Sequence, residues 1–114
     1  MPPTVEDRLR DVLEAIADID GLLQGLTLEH FSADRTLRLA TERLLEIVCE
    51  PSRHIPDEMK RGAPDIHWRK MIDFGNLLRH AYHTTDAARV WDIARNELPV
   101  LKTFVSGRLS SLKE

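Results

Sequence analysis

Apolar residues in the first part of the chain recur every three or four positions, which is the spacing of one face of an α-helix. Thr4 stands before this stripe and Asp7 lies three residues further on, a pair typical of a capping box at a helix start. Gly21 and Gly25 are typical of a helix end. The pattern therefore predicts a first helix whose inward side is formed by Val5, Leu9, Val12, Leu13, Ile16, Ile19 and Leu23.

A second helix is predicted from Ser32 or Asp34 towards Ile55. Pro51 falls inside it and should kink or split it, because proline removes one backbone hydrogen bond and crowds the preceding turn. The segment 26–33 before this helix is interpreted as a linker with room for one helical turn. The expected inward residues of the second helix are Leu37, Ala40, Leu44, Ile47, Val48 and Ile55.

Further helices follow a loop predicted at 56–64, a segment marked by proline and glycine. The third predicted helix runs from near Asp65 to about His83. Asp86 is suited to cap a fourth helix. Pro99 either kinks the fourth helix or begins a fifth.

These elements predict one all-α domain over 1–114, an antiparallel bundle of four or five helices. The net charge is −3, from 16 basic and 19 acidic residues, which argues against binding nucleic acid by general polycation attraction. A single cysteine excludes a disulfide scaffold. No apolar run is long enough for a membrane span and no secretion signal is visible, so we expect a cytoplasmic protein with no membrane contact.

The third predicted helix carries the most informative residues. When each residue is given 100° of rotation, its apolar side chains cover an arc of about 220°. One small core does not need so wide a face, and we therefore expect a homodimer or a larger assembly with these helices near a twofold axis. The remaining narrow arc holds Arg79, His83, Asn76, Arg69, His80 and Asp73.

Arginine, histidine and asparagine on one helix face bind phosphates and move protons, whereas a solvated face usually carries Glu, Lys, Gln and Ser. Two interpretations stay open at this point. The face is either a site for phosphate chemistry or a polar seam at a helix interface. In the second case its residues are satisfied by pairs four positions apart, such as Arg69 with Asp73.

An acidic row on the second helix has two interpretations as well. It is either a solvated face paired with Arg43 and Arg53, or a row that faces the third helix and positions Arg79 or Arg69. Cys49 is interpreted as a small buried residue rather than a nucleophile. No local spacing is typical of a zinc site, and we expect neither a metal nor a cofactor. The members of the row are Glu42, Glu46 and Glu50.

Five segments together resemble the HepT-like group of HEPN-domain proteins. The signature of that group is R-N-x-x-x-H-x-Y, then an Asp that opens the next helix with a Trp soon after, then N-x-L-P. Here residues 68–82 read WRKMIDFGNLLRHAY, and the later parts fall on 84–86, 90–91 and 96–99. The run 42–50 is also similar to the second helix of the family.

The resemblance implies a compact helical bundle that dimerises and cuts RNA without a metal, as the toxin of a bacterial toxin–antitoxin pair. It also implies a small nucleotidyltransferase as the antitoxin. That partner silences the toxin by attaching AMP to the signature tyrosine, which falls on Tyr82. The signature asparagine and histidine fall on Asn76 and His80.

One position departs from the family signature, because its arginine falls on Gly75. Arg79 lies one helical turn further on and about 40° away in rotation. A glycine at position 75 is expected to leave an empty space in which the Arg79 side chain lies as it leans back towards the preceding turn. The guanidinium would then come from a different backbone position.

RNA cleavage without a metal needs a base for the 2′-OH proton, a cation for the charge on phosphorus and a group that holds the phosphate. His80 is the candidate base and Arg79 the candidate cation, while Asn76 would orient the phosphate or the histidine. The alternative is a catalytically silent module that dimerises and binds RNA, a nucleotide or a nucleotidyltransferase. Further phosphate or RNA contacts are expected from Arg69, His83 and Asp73.

Overall fold

The first helix begins with the predicted capping box. The computed structural model describes residues 2–80 and 85–112. The backbone N–H of Asp7 donates to Oγ1 of Thr4 at 3.0 Å, and the N–H of Thr4 donates to Oδ2 of Asp7 at 3.0 Å. Helix α1 spans Val5–Leu23, and its buried residues are Leu9, Val12, Ala15, Ile16, Ile19 and Leu23.

The predicted second helix is the long α3 (Arg35–Arg53), and the predicted linker before it contains the short helix α2 (Leu28–Ala33). The Asp34 carboxylate caps α3 by accepting a hydrogen bond from the N–H of Leu37 at 3.0 Å. Of the two predicted effects of Pro51, the split is wrong, since α3 continues to Arg53. Proline stands only two residues before the helix end, so the cost is limited to one missing backbone hydrogen bond.

The buried face of α3 is rotated from the predicted one. Leu44 and Ile47, which were expected inside, are only half-buried. Thr41 and Ser52 are buried instead, because each hydroxyl donates to a carbonyl of its own helix, at 2.8 and 2.9 Å respectively. A satisfied hydroxyl can be buried at little cost. The residues of α3 that line the core are Thr41, Leu45, Val48, Cys49 and Ser52.

The predicted loop at 56–64 contains a short helix, α4 (Asp57–Arg61), which the sequence reading missed. Helix α5 spans Trp68–Arg79. It therefore begins three residues later than predicted, and His80 forms its C-cap.

The last part of the bundle is one run of helix that contains a wide turn. Helix α6 (Ala87–Asp92) is capped by Asp86, whose carboxylate accepts from the N–H of Ala88 at 3.1 Å. A π-helical turn at Ile93–Glu97 follows, and α7 (Leu98–Leu112) begins directly after it. Pro99 has no N–H for the regular pattern, and the wider turn before it lets the helix pass the proline without a break.

The helices form an all-α antiparallel bundle with axes of 44, 29 and 29 Å. Helix α1 lies between α3 and α7, and α5 packs on the other side of α3. Helix α2 covers α6. Helix α5 also contacts the last helical run, through Trp68 on Phe104 and Lys70 on Glu97, and its remaining side faces solvent.

Over residues 2–80 and 85–112, no helix is both long enough and apolar enough to span a membrane.

Candidate functional site

The buried face of α5 determines which side chains the helix presents to solvent. Met71, Phe74 and Leu78 are buried in the core. Leu77 was expected within the buried arc, but 41% of it is exposed. The buried face of α5 in the single chain is therefore narrower than the predicted arc. The polar residues that α5 and its C-cap present at least partly to solvent are Arg69, Lys70, Asp73, Asn76, Arg79 and His80.

His80 lies at the C-terminal end of α5. Its backbone (φ −106°, ψ 7°) leaves the helix, and its N–H is directed at the carbonyls of Asn76 and Leu78. The residue is exposed. His80 and the last helical residue, Arg79, therefore sit together at one end of the helix, with Asn76 one turn before them.

The guanidinium of Arg79 is held from two sides. Nη1 donates to Oε2 of Glu50 on α3 at 2.9 Å, and Nη2 donates to Oδ1 of Asn76 on α5. Asn76 thereby orients the arginine through its amide oxygen. Two of the five N–H groups of the guanidinium are used in these contacts, and within residues 2–80 and 85–112 no other group accepts a hydrogen bond from it.

Gly75 does not leave an empty space where a side chain would project, so that expectation is wrong. A Cβ at this position would lie 2.6 Å from Cβ of Cys49. The glycine is needed because α5 crosses α3 here at very short distance, and an arginine in its place has no room. Gly75 and Arg79 nevertheless both line a cavity beside this crossing.

A cavity of about 440 Å³ lies beside the Arg79 guanidinium, between α3 and α5. Its floor is formed by half-buried and buried apolar side chains, including Ile47 and Ile72. Its rim carries charges of both signs, so it does not attract anions by net charge alone. The charged residues of the rim are Asp11, Arg43, Glu46, Glu50, Arg53 and Arg79.

The acidic row on α3 was predicted to be either a solvated face or a row that faces the third predicted helix. Each interpretation is correct for a different member of the row. Glu46 pairs with Arg43 on the same helix at 3.2 Å, as a solvated face would. Glu50 pairs with Arg53 at 3.3 Å and also reaches Arg79 across the helix interface. These pairs are partly exposed and each contributes little to stability.

Glu42, the first member of the acidic row, faces a different environment. Burial raises the pKa of its carboxyl, against the opposing effects of the neighbouring Thr85 and of the charge of Arg38. Glu42 lies on the side of α3 towards the segment that precedes α6, away from the Arg79 guanidinium. Its four-residue spacing from Glu46 gave no sign of this difference.

Arg69 and Asp73 form the predicted pair four residues apart, with Nε to Oδ1 at 3.3 Å. Arg69 lies ten positions before Arg79 on the same helix, which is about 15 Å along the axis. The structure therefore does not bring Arg69 and Asp73 to the Arg79 end of α5. Tyr82 and His83, the other two predicted site residues, lie outside the described residues.

Glu97 was missed by the sequence reading. It is 9% exposed in the π-helical turn, and Nζ of Lys70 donates to its Oε2 at 3.1 Å. Nδ1 of His67 lies 2.9 Å from its other oxygen. The hydrogen bonds of Lys70 to Glu97 and to Asp92 raise the lysine pKa. This carboxylate ties the last helical run to the start of α5, and only its place in the N-x-L-P stretch could have drawn attention to it.

Cys49 is buried as predicted, and burial raises the pKa of its thiol to about 12. A thiol that stays protonated at neutral pH is a poor nucleophile. Its role in the site is to form the surface against which Gly75 packs.

Within 2–80 and 85–112, no group of three or more His, Cys, Asp or Glu side chains is arranged to hold a metal ion.

An all-α bundle in which α5 and its C-cap present Asn76, Arg79 and His80 at the exposed end has the features of a HepT-like protein. The family model "Ribonuclease HepT-like" matches residues 12–107. The chain belongs to this family.

Individual relatives agree with the family assignment. A protein of Thermococcus cleftensis named "Probable ribonuclease HepT" is 36% identical over 97 residues, which cover 85% of this chain and 88% of the relative. A Methanocaldococcus jannaschii protein, MJ1380, whose name describes it as a candidate RNase, is 30% identical over 85% of this chain and 89% of its own length. No solved structure matches the chain significantly.

Proposed function

We propose that this protein is a metal-independent endoribonuclease that acts at the C-terminal end of α5. The observation that carries the proposal is the fixed guanidinium of Arg79, one residue before the exposed His80. A forked cation and an imidazole at the same helix end are two of the groups that phosphodiester cleavage requires. Family membership and the names of the relatives support the same reaction class.

In the proposed reaction the ribose 2′-OH attacks the adjacent phosphorus. His80 takes the 2′-OH proton, and the 5′ oxygen of the next nucleotide leaves with a proton from an acid. The products are a 2′,3′-cyclic phosphate and a free 5′-OH. Arg79 stabilises the charge that develops on the phosphate oxygens, and Asn76 keeps the guanidinium in place.

The acid in this reaction comes from a second copy of the chain in the proposed homodimer. Leu77, with 41% of its surface exposed, lies on α5 between the polar residues and the core, where it supports a contact between two α5 helices. Light scattering at micromolar concentration should give a dimer or a larger assembly. A monomer would contradict this part of the proposal.

Arg69, Asp73 and His83 are proposed to contact RNA away from the scissile phosphate. For Arg69 and Asp73 this agrees with their distance from Arg79, about 15 Å along α5 for the arginine. Removal of the positive charge of Arg69 should weaken RNA binding and its salt dependence more than the rate of cleavage.

The biological role that we propose is that of the toxin in a toxin–antitoxin pair. A minimal nucleotidyltransferase would be the antitoxin, and it would transfer AMP to the hydroxyl of Tyr82. Expression without the partner should arrest growth, and coexpression should add the mass of one AMP group per chain. A Tyr82→Phe variant should retain toxicity and escape the modification.

The catalytic proposal is tested with purified protein that has never met a nucleotidyltransferase. His80→Ala should lower cleavage of a single-stranded RNA at least about 100-fold, the usual contribution of general acid–base catalysis. His30→Ala is the matched control, since His30 is an exposed histidine on α2 and should leave the rate unchanged. Cleavage should also persist in EDTA.

A second candidate function is a silent HEPN module that only dimerises and binds RNA, a nucleotide or its partner. Gly75 favours this alternative, because it stands where the family signature has an arginine and cannot be replaced by one without displacing Cys49. Wild-type protein that binds RNA but does not cleave it would support the silent module. Cleavage that His80→Ala leaves intact would contradict the proposed mechanism.

A further inference from the structure

Glu50 is the residue of α3 that contacts the proposed site directly. Its Oε2 accepts from Nη1 of Arg79 at 2.9 Å and from Nη1 of Arg53 at 3.3 Å. Nε2 of His54 lies 3.6 Å from its other oxygen. Arg53, one turn along α3, fixes the carboxylate, and the carboxylate in turn meets the arginine of the other helix.

The close helix crossing determines where these two side chains meet. Gly75 packs against Cys49, and Glu50 is the residue that follows Cys49 on α3. Arg79 lies one turn beyond Gly75 on α5. The contact between Glu50 and Arg79 therefore forms next to the closest approach of the two backbones, where the packing leaves the least freedom of movement.

The two contacts of Arg79 restrict its guanidinium to one plane. Nη1 is bound by Glu50 on α3, and Nη2 is bound by Asn76 on α5. A guanidinium has five N–H groups, so its remaining donors stay available in a fixed fork. An unrestrained arginine would have to lose that freedom on each binding event.

We propose that Glu50 is a positioning residue, which holds the Arg79 guanidinium so that its remaining N–H groups meet an RNA phosphate. This inference rests on the proposed function for the identity of the anion. The Glu50 carboxylate then supports the rate of cleavage, although its negative charge lowers the positive charge at the site. The opposite role, a carboxylate that merely shields Arg79 from RNA, is an outcome of the test.

Glu46 provides a matched control. It lies one turn before Glu50 on α3 and lines the same cavity, but its ion pair is with Arg43 of its own helix. Glu46→Gln and Glu50→Gln remove the same charge from the same rim. Both should lower KM for RNA to a similar extent, because each removes one repulsive charge near the phosphates.

Only Glu50→Gln should lower kcat, by about fivefold, which is the scale of a half-exposed ion pair. In an Arg79→Gln background, Glu50→Gln should have no further effect on kcat if it acts through the arginine. Equal losses in both backgrounds, or a kcat that rises in Glu50→Gln, would overturn the proposal. Melting temperatures of the single variants show whether a loss of folding accounts for the result.

A second measurement does not depend on cleavage. In ¹⁵N-labelled protein, the guanidinium signals that vanish in Arg79→Gln belong to Arg79. They should show slow rotation of the Nη groups in wild type and in Glu46→Gln, and fast rotation in Glu50→Gln. If wild type cleaves no RNA, the proposed function fails, and these signals still decide whether Glu50 orients the arginine. Unchanged signals in Glu50→Gln would refute the inference in either case.

Discussion

Replacing Gly75 by alanine tests the close crossing of α3 and α5 on which the site is built. The new Cβ would lie 2.6 Å from Cβ of Cys49. Carbon atoms in contact lie about 3.5–4.0 Å apart, so the two helices would have to separate by roughly 1 Å. A Cβ cannot rotate out of the way as the end of a long side chain can, so the backbone itself has to move.

Two opposing effects set the magnitude. Alanine in a helix interior is about 1 kcal/mol more favourable than glycine. Overpacking of a dense interior costs about 1–3 kcal/mol. We expect the second effect to dominate at Gly75, with a net loss of about 1 kcal/mol and a melting temperature lower by about 4 °C.

The assay is thermal and urea unfolding of purified variants, followed by circular dichroism. Gly107→Ala is the matched control, because a Cβ at position 107 of α7 meets no atom within 4 Å. That variant should raise the stability by about 1 kcal/mol. In a Cys49→Gly background the clashing atom is absent, so Gly75→Ala should no longer destabilise the protein there. A Gly75→Ala variant as stable as Gly107→Ala would refute the reasoning.

Three further predictions concern the rest of the bundle. Burial raises the pKa of the Cys49 thiol to about 12. Cys49 should therefore react with a thiol reagent at neutral pH only as fast as the protein unfolds. Fast labelling of the native state would contradict this. Glu97→Gln should lower the free energy of unfolding by about 1–2 kcal/mol in urea titrations. The pKa of Lys70 is raised above its usual 10.5, so the contribution of the ion pair between Lys70 and Glu97 to stability is complete below pH 10.5. That contribution should be lost as the pH rises through the folded-state pKa of Lys70. The effect of Glu97→Gln should therefore shrink in strong base. Thr4→Ala should cost about 1 kcal/mol. The backbone and side-chain hydrogen bonds with Thr4 lower the Asp7 pKa, so the contribution of the Asp7 carboxylate to the cap is complete above pH 3.8 and is lost as the pH falls through the folded-state pKa. The bond from the Asp7 N–H to Oγ1 of Thr4 does not titrate, so most of the cost of Thr4→Ala should remain in acid.

Local rules predicted the ends and faces of several helices correctly. The capping box of Thr4 and Asp7 and the cap at Asp86 depend only on residues within one turn. The face of α3 was predicted less well, because Thr41 and Ser52 look polar until their hydroxyls are seen to bond to their own helix. The periodicity of apolar residues depends on residue type alone. It cannot show that a polar side chain is hydrogen-bonded to its own helix and can therefore be buried.

The shared position of three candidate residues could be predicted from the sequence, but the contacts of their side chains could not. The sequence indicates that Asn76, Arg79 and His80 share the exposed end of one helix. That Glu50 meets Arg79 depends on how α3 is rotated and how closely it crosses α5, and both are tertiary properties. Gly75 was open to opposite interpretations for the same reason, since a glycine accompanies an empty space as well as a tight contact.

The π-helical turn at Ile93–Glu97 amounts to one residue of slack in a helix that otherwise keeps a regular pitch. A turn closed by a bond from residue i to i−5 holds one residue more than an ordinary turn, while the helices on both sides keep their phase. Deleting one residue of the exposed pair Arg95 and Asn96 would take up this slack and leave α6 and α7 facing the core. It would also bring Pro99 against the carbonyl four positions before it. The loss of this one residue should therefore be tolerated among proteins of this architecture where no proline follows the turn, at a point where helices ordinarily do not change length.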